Sequence, residues 1–234
     1  MKIVLIGPYN SGKSTIVQKI CRGSAISIDY GGTTVAMDHC KTRVYGIDVF
    51  LFGTPGLQRF EILRKILSKG ADGVLFIVDS VNTASFIEAK GMVEEIKHIL
   101  PGKAIVLCAN KQDIMGAKKP EEVSNTILSN EDSEVSVIGT SAKTGEGLDQ
   151  ALGLIVLNAI KEYYPILIAV KNSDSSLSEI AKKLDLQEDE VSARLQYASW
   201  RRLINADWDK NRFSLTKGTA NIIEILEFGS KKID

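Results

Sequence analysis

The chain has 234 residues, 44% hydrophobic and 25% charged, with 29 Lys plus Arg against 29 Asp plus Glu. This is the balance of an ordinary globular protein; it excludes a protein held on nucleic acid by bulk charge alone, and the length suits one domain and a smaller second one. Cys21, Cys40 and Cys108, with no CxxC pair, predict neither a disulfide framework nor a zinc site and suit a reducing interior.

The first apolar run, residues 3–6, turns straight into a glycine loop, without the charged region and cleavage site of a signal peptide. A strand followed by a helix over 13–21 is expected. Residues 40–45 are mixed in character and read as an edge strand pairing antiparallel with the apolar run 49–52. A helix over 60–67 precedes a third apolar run at 74–78. Helix 86–100 places Ile87, Met92 or Val93, Ile96 and Leu100 on one stripe, and Pro101-Gly102 stops it. Further apolar runs at 105–108 and 135–138 bracket a helix over 121–128. Helix 148–163 carries Leu148, Ala151, Leu152, Ile155, Ala159 and Ile160. Continuous rather than alternating hydrophobicity marks strands buried on both faces. Strands alternating with helices predict an α/β doubly wound fold with a mostly parallel sheet and ligands at the strand C-terminal ends.

The pattern changes at Tyr164-Pro165, which places one domain at 1–164 and a second at 165–234. The second reads as helices over 165–172, 177–184 and 188–200, with Val191, Leu195 and Ala198 facing inward. A strand from Leu203-Ile204, a polar tip at 207–212, a return over 213–218 and a helix over 220–228 complete a winged helix-turn-helix. Trp200 and Trp208 are expected to pack that domain, Cys108 to sit in the core, and His39 and His98 at the surface. No run approaches the ~18 apolar residues of a membrane span. Lys2 stands where myristoylation needs glycine, and no CaaX box is present. A cytoplasmic protein without a transmembrane segment is expected.

Gly7-Pro8-Tyr9-Asn10-Ser11-Gly12-Lys13-Ser14 fits G-x-x-x-x-G-K-[ST] between a strand and a helix. Glycines let backbone N–H groups close around phosphate oxygens, and the helix adds the positive end of its dipole. Asn10, Ser11, Gly12, Lys13, Ser14 and Thr15 form the expected phosphate-binding set. Lys13 would bridge the β- and γ-phosphates, and the Ser14 hydroxyl would ligate Mg²⁺. Asn110-Lys111-Gln112-Asp113 follows the run 105–108. A carboxylate at Asp113 can accept from guanine N1–H and the 2-amino group, whereas adenine would leave it unpaired and desolvated. Ser141-Ala142-Lys143 follows the last run and would support the base from the other side.

Two further segments complete a resemblance. Thr33-Thr34-Val35-Ala36-Met37-Asp38 is similar to the first switch of Ras-like proteins, with Thr34, and Thr33 as runner-up, at the threonine that reaches Mg²⁺ and the γ-phosphate. Phe52-Gly53-Thr54-Pro55-Gly56-Leu57-Gln58-Arg59-Phe60 resembles the second switch of Rab and Ras proteins, with Gly56 donating its N–H to the γ-phosphate. Asn110, Lys111 and Asp113 resemble the N-K-x-D guanine motif. Taken together, 1–164 resembles the prokaryotic Ras-like small GTPases, and among them the predicted GTPases related to the β subunit of the signal recognition particle receptor. The resemblance implies a GTP/GDP switch with Mg²⁺ as cofactor, a protein effector or regulator as partner, and Lys13, Thr34 and Gly56 as catalytic residues. Gly53 departs from the Mg²⁺-supporting Asp, and Leu57 from the Gln that orients the attacking water. Slow hydrolysis is therefore expected, with a register shift to Gln58 as the alternative.

The return over 213–218 resembles the wing of MarR- and ArsR-like regulators. The second domain carries eleven basic and eleven acidic residues. Glu188-Asp189-Glu190 opens the helix that would read DNA, which suits a helix N-terminus but repels phosphates. Lys210 and Arg212 lie at the tip. DNA binding and protein docking both stay open at this point.

Overall fold

The computed structural model describes residues 1–21, 26–30, 33–54, 61–171 and 176–230. The chain divides into two compact units. One comprises Lys2–Thr42 and Val49–Val156; the other Met1, Arg43–Asp48 and Leu157–Asp234.

The first unit is built on a seven-stranded sheet. Its strands are β1 (Lys2–Ile6), β2 (Ile26–Tyr30), β3 (Thr33–Val44), β4 (Ile47–Gly53), β5 (Gly73–Asp79), β6 (Ala104–Asn110) and β7 (Ser136–Gly139), in the order β2-β3-β4-β1-β5-β6-β7. β1 runs parallel to β4 and β5, and β6 runs parallel to β5 and β7; β2 pairs antiparallel with β3. The expected α/β fold with a mostly parallel sheet is therefore present. Every residue of β5 is buried, as a strand covered on both faces requires. One face of the central strands, Val4, Ile6, Val74, Phe76 and Val78, packs with Phe86, Ala89, Met92, Val93 and Ile96 of α3 (Phe86–Ile99) and Val123 and Ile127 of α4 (Pro120–Ile127). On the other face, Gly73 leaves room for Ile155 of α5 (Leu148–Ile160) and for Ile3. The strand C-terminal ends carry the loops after residues 6, 79, 110 and 139, which is where the sequence motifs fall.

Several sequence expectations change. β2 is the outer strand of the sheet, but it pairs with β3 only over residues 33–39, and residues 40–45 lie beyond that register. Met92, Val93, Ile96 and Leu100 are buried as expected, but Ile87 is 86% exposed, and Phe86 and Ala89 complete the inward stripe of α3 in its place. His39 is half-buried, its ring 5.5 Å from that of Phe52, while His98 is exposed as expected. Cys108 is buried, and its burial pushes the thiol up to about 12. Cys21 and Cys40 are paired as a disulfide with Cα atoms 6.2 Å apart, against the expectation of none. A sequence separation of 19 without a CxxC pattern gives no signal of that pairing.

In the second unit α6 (Tyr164–Lys171), α7 (Leu177–Leu184) and α8 (Glu188–Trp200) precede a hairpin of β8 (Ile204–Asp207) and β9 (Arg212–Leu215) and a final helix α9 (Lys217–Ser230). Ser176 caps α7: its hydroxyl accepts from the Glu179 N–H at 3.4 Å while the Glu179 carboxylate accepts from the Ser176 N–H at 3.2 Å. Val191, Leu195 and Ala198 are buried as the periodicity predicts. Trp200 is 70% and Trp208 44% exposed, so Trp200 does not pack the interior, and Trp208 contributes only an edge contact to Phe213. The turn Tyr45-Gly46, with φ of 50° and 85°, has the positive angles of a type I′ hairpin. It lies in this unit with its neighbours. Gly46 and Gly218 approach so closely that a Cβ on Gly218 would sit 2.5 Å from the Gly46 carbonyl carbon. Asp48 accepts from Arg43 at 3.2 Å and from Arg202 at 3.0 Å, and its carbonyl accepts from the Met1 ammonium at 2.7 Å.

The composition break at Tyr164-Pro165 falls inside one helical run, Leu148–Lys171. A 3₁₀ turn at Lys161–Tyr163 ends α5, and Pro165 occupies the first turn of α6, where a missing N–H costs no helical bond. The grouping by contacts changes after Val156 instead. By length and composition this run, with a mean hydropathy of 1.4, is long and apolar enough to cross a membrane, contrary to the sequence reading; 56% of its apolar window is buried within the protein.

Candidate nucleotide site

The loop from Gly7 to Gly12 joins β1 to α1 (Lys13–Ile20). Its shape demands glycine at two places. Gly7 has φ +152° and Gly12 φ +100°; a Cβ would overlap the Ile77 carbonyl at the first and the Asn110 side chain at the second. Gly12 caps α1 without a side-chain hydrogen bond, and no acidic residue lies in the first turn. The first turn of that helix carries no carboxylate of its own to offset the positive end of its dipole, an arrangement that favours an anion. Lys13 is buried, and its ammonium donates to the Gly7 carbonyl at 2.8 Å, the Pro8 carbonyl at 2.7 Å and Ser11 Oγ at 3.3 Å. The loop therefore folds around its own lysine and fixes the cation inside the ring of backbone. Asn10, Ser14 and Thr15 are exposed at the rim, Asn10 with φ 61°.

Asn110 ends β6 with no exposed surface. Its Nδ2 donates to the Ser11 carbonyl at 2.8 Å; its Oδ1 accepts from the Ala142 N–H at 3.0 Å and Thr140 Oγ1 at 3.3 Å. One amide thus joins the phosphate-type loop to the loop after β7. Lys111 has φ 69° and donates to Asp79 at 2.7 Å. Asp113 Oδ1 accepts from Ser141 Oγ at 2.6 Å, and Ser141 Oγ accepts from the Thr144 N–H at 3.1 Å. The Asp113 carboxylate is exposed yet held by a buried hydroxyl, so it stands fixed with acceptor capacity to spare. Lys143 is exposed, and its carbonyl accepts from Lys19 at 3.0 Å.

The structure brings together Asn10 through Thr15, Asn110, Lys111, Asp113 and Ser141 through Lys143. Thr34 lies in β3, next to Thr33, and only its backbone is described. Gly56, Leu57 and Gln58 lie outside the described residues. Gly53 is the last residue of β4 beside Leu5, and Thr54 donates its hydroxyl and its N–H to the Leu5 carbonyl at 2.9 and 3.0 Å. Among the described residues no group of three or more His, Cys, Asp or Glu could hold a metal. The exposed Ser14 hydroxyl at the start of α1 fits Mg²⁺, a cation that takes few protein ligands and shares substrate phosphates.

Two contributors escaped sequence reasoning. Asp79, at the end of β5, accepts from Lys111 and from the Val81 N–H at 2.9 Å, which holds the lysine in its left-handed turn. Gln112, the variable position of the motif, donates to Ser80 Oγ at 3.0 Å and the Lys118 carbonyl at 2.9 Å and braces the same loop. The only available signal for Asp79 was a carboxylate ending a wholly apolar run.

A model of the Ras family matches residues 2–162. The chain is 30% identical over 172 residues to ADP-ribosylation factor-like protein 2 of Arabidopsis thaliana, covering 70% of this chain and 90% of that protein. It is 25% identical over 224 residues to the mitochondrial tRNA modification GTPase MSS1 of Saccharomyces cerevisiae, covering 85% of this chain but only 43% of that protein. An uncharacterized protein of Methanocaldococcus jannaschii, MJ1339, is 30% identical over 119 residues, 49% of this chain and 71% of that one.

Proposed function

The chain belongs to the Ras family of small GTPases, and from that premise we propose a guanine-nucleotide switch that works with Mg²⁺, hydrolyses GTP slowly and passes its state to a protein partner through a C-terminal winged helix. The observation that carries the switch is the buried Asn110, which ties the Ser11 carbonyl to the Ala142 N–H. It makes one rigid body of the loop that would hold phosphates and the two loops, bearing Asp113 and Ser141, that would hold guanine. Lys13, Ser14 and Thr34 take the phosphates and metal in this reading, and Gly56 the γ-phosphate. Leu57 has no group to orient water, so the rate falls at or below the ~10⁻⁴–10⁻³ s⁻¹ of an unaided Ras-like protein.

Support for the output comes from the turn Tyr45-Gly46. The strands it joins begin at Thr33-Thr34 and end at Gly53, next to the second switch segment. The turn itself belongs to the C-terminal unit, where Gly46 meets Gly218 and Asp48 meets Arg202. A protein partner is favoured over DNA because Glu188, Asp189 and Glu190 are all exposed at the start of α8. Exposed Tyr197 and Trp200, their rings 5.4 Å apart, offer the amphipathic aromatic surface that protein interfaces use. A cytoplasmic setting goes with this reading.

Calorimetry with GDP and ADP, then single-turnover hydrolysis with and without Leu57→Gln, tests the proposal. Tight GDP binding, no ADP binding and a rate raised by the substitution are expected; equal affinity for the two nucleotides would end it. Gly218→Ala should change the ratio of GTP to GDP affinity, and an unchanged ratio would end the output reading. A gel shift with and without GTP addresses DNA directly.

A further inference from the structure

Lys19 lies in the last turn of α1, the helix whose first turn carries Lys13 and Ser14. The ordinary work of a cation there is to offset the negative end of the helix dipole. Its ammonium reaches further, to the loop after β7, and donates to the Lys143 carbonyl at 3.0 Å. Its stem meets the same loop: a Cβ on Gly145, where φ is +95°, would sit 3.1 Å from Lys19 Cε. The loop is closed on itself at Ser141, whose N–H donates to the Glu146 carbonyl at 3.0 Å and whose carbonyl accepts from the Gly145 N–H at 2.8 Å. Ser141 Oγ accepts from the Thr144 N–H at 3.1 Å and donates to Asp113 at 2.6 Å. A displacement at Lys143 is therefore passed through Ser141 to the carboxylate that would read the base.

We propose that Lys19 is a positioning residue: it braces the loop 141–146 against α1, keeps Asp113 aimed at the base and so slows the release of guanine nucleotide. The brace stands on the geometry; its effect on release rests on the switch reading above. Asn110 holds the loop through a buried bond from the Ala142 N–H, and Lys19 holds it through an exposed bond to the carbonyl of the next residue. One anchor leaves a loop free to turn about it, whereas anchors on consecutive residues fix its direction as well. An acceptor already held in place needs less ordering when the base binds. Gains of this kind within one site appear mostly as slower dissociation. The role differs from that of Asn110, whose bonds are buried. Water can satisfy the groups left by removing the Lys19 bond, so its loss costs aim and little stability.

The experiment compares the full chain with Lys19→Met, which keeps an apolar stem and the helix preference but no donor, and with Lys19→Arg, which keeps a donor. Hydrogen exchange at residues 141–146 is measured without nucleotide. Release of radiolabelled GDP and of inosine diphosphate, which lacks the 2-amino group, is then followed in a chase. In Lys19→Met the loop should exchange faster while α1 exchanges as in the parent, and GDP should leave faster by about twofold to tenfold. Release of inosine diphosphate should quicken less, because a poorly aimed Asp113 loses less with a base that offers it one donor in place of two. Lys19→Arg should restore the parental values. Equal loop exchange in the parent and Lys19→Met overturns the brace, whether or not nucleotide binds. A loosened loop with unchanged GDP release overturns the control of release, and equal acceleration of both nucleotides overturns the aiming of Asp113. A loop left loose in Lys19→Arg overturns the assignment to the hydrogen bond. Failure of the parent to bind guanine nucleotide, with the loop loosened in Lys19→Met, overturns the switch reading and with it the control of release, and leaves the brace standing.

Discussion

Replacing Asn110 by Ala tests the join at the centre of the site. The side chain is fully buried and makes three hydrogen bonds, at 2.8 Å to the Ser11 carbonyl, 3.0 Å from the Ala142 N–H and 3.3 Å from Thr140 Oγ1. The alanine variant leaves the Ser11 carbonyl and the Ala142 N–H in the interior without that partner. Each orphaned buried group costs about 1–3 kcal/mol. The Thr140 hydroxyl can rotate toward another acceptor and adds little. A total of about 2–6 kcal/mol follows, which for a chain of this size lowers the melting temperature by about 4–24 °C. Affinity should fall further than for a surface substitution, because the loop around Lys13 and the loop of Ser141 lose their common anchor. Loss of about 1.4 kcal/mol of preorganisation alone weakens GDP tenfold. Thermal denaturation without nucleotide and GDP calorimetry read the two effects separately. A variant that melts within about 1 °C of the parent and binds GDP as tightly would refute the claim that Asn110 couples the two loops.

Three further outcomes are expected. Asp113→Ala should lower the melting temperature less than Asn110→Ala, since the carboxylate is exposed and only the buried Ser141 hydroxyl loses its acceptor, while removing the preference for GDP over ADP in calorimetry; a larger loss of stability with preference retained would contradict the assignment. Asp132 is a buried carboxylate whose burial works to raise its pKa, but hydrogen bonds from Lys97 and from Ser129 hold it below the usual carboxylate range. Its contribution is present above the unfolded value near ~3.9 and is lost as pH falls through the lower folded value. Asp132→Ala should therefore cost about 1.5–3 kcal/mol in urea unfolding at pH 7, and the gap should narrow once the medium is more acidic than the folded pKa; a gap that persists there would point to packing instead. Cys108, raised to about 12 by burial, should resist iodoacetamide at pH 8 in the native protein and react only on unfolding, as peptide mapping would show.

The parts of the fold that were legible in the sequence are those where burial on both faces writes an unbroken apolar run. β5 is the extreme case, with all seven residues buried. β2 shows the opposite. Ile26-Ser27-Ile28-Asp29-Tyr30 alternates apolar and polar residues, as an edge strand does, and a search for continuous runs passes over it. Ile87 failed for a related reason: periodicity gives the width of a helical stripe but not its phase when apolar residues are adjacent, and Phe86 took the inward place. Pro165 looked like a boundary because proline breaks helix interiors, yet after a 3₁₀ turn it starts a new helix without penalty.

At the site, the motif residues were legible because the loop that closes on Lys13 needs backbone at positive φ, hence Gly7 and Gly12. The contacts that aim them were not legible, because aiming is a property of distance and not of type. Asp79 reaches Lys111 from 32 positions away, and Ser141 reaches Asp113 from 28. The same holds for the Cys21–Cys40 pair and for the meeting of Gly46 with Gly218, which bring together segments that share no sequence pattern. Gly218 makes the point most sharply. In sequence it ends a wing-like return, a role several residues could fill. In the structure a single methyl group there would collide with the carbonyl carbon of a turn that joins two strands leading back to the nucleotide site. A residue with no chemistry of its own is thereby held to glycine by a contact that no sequence pattern announces.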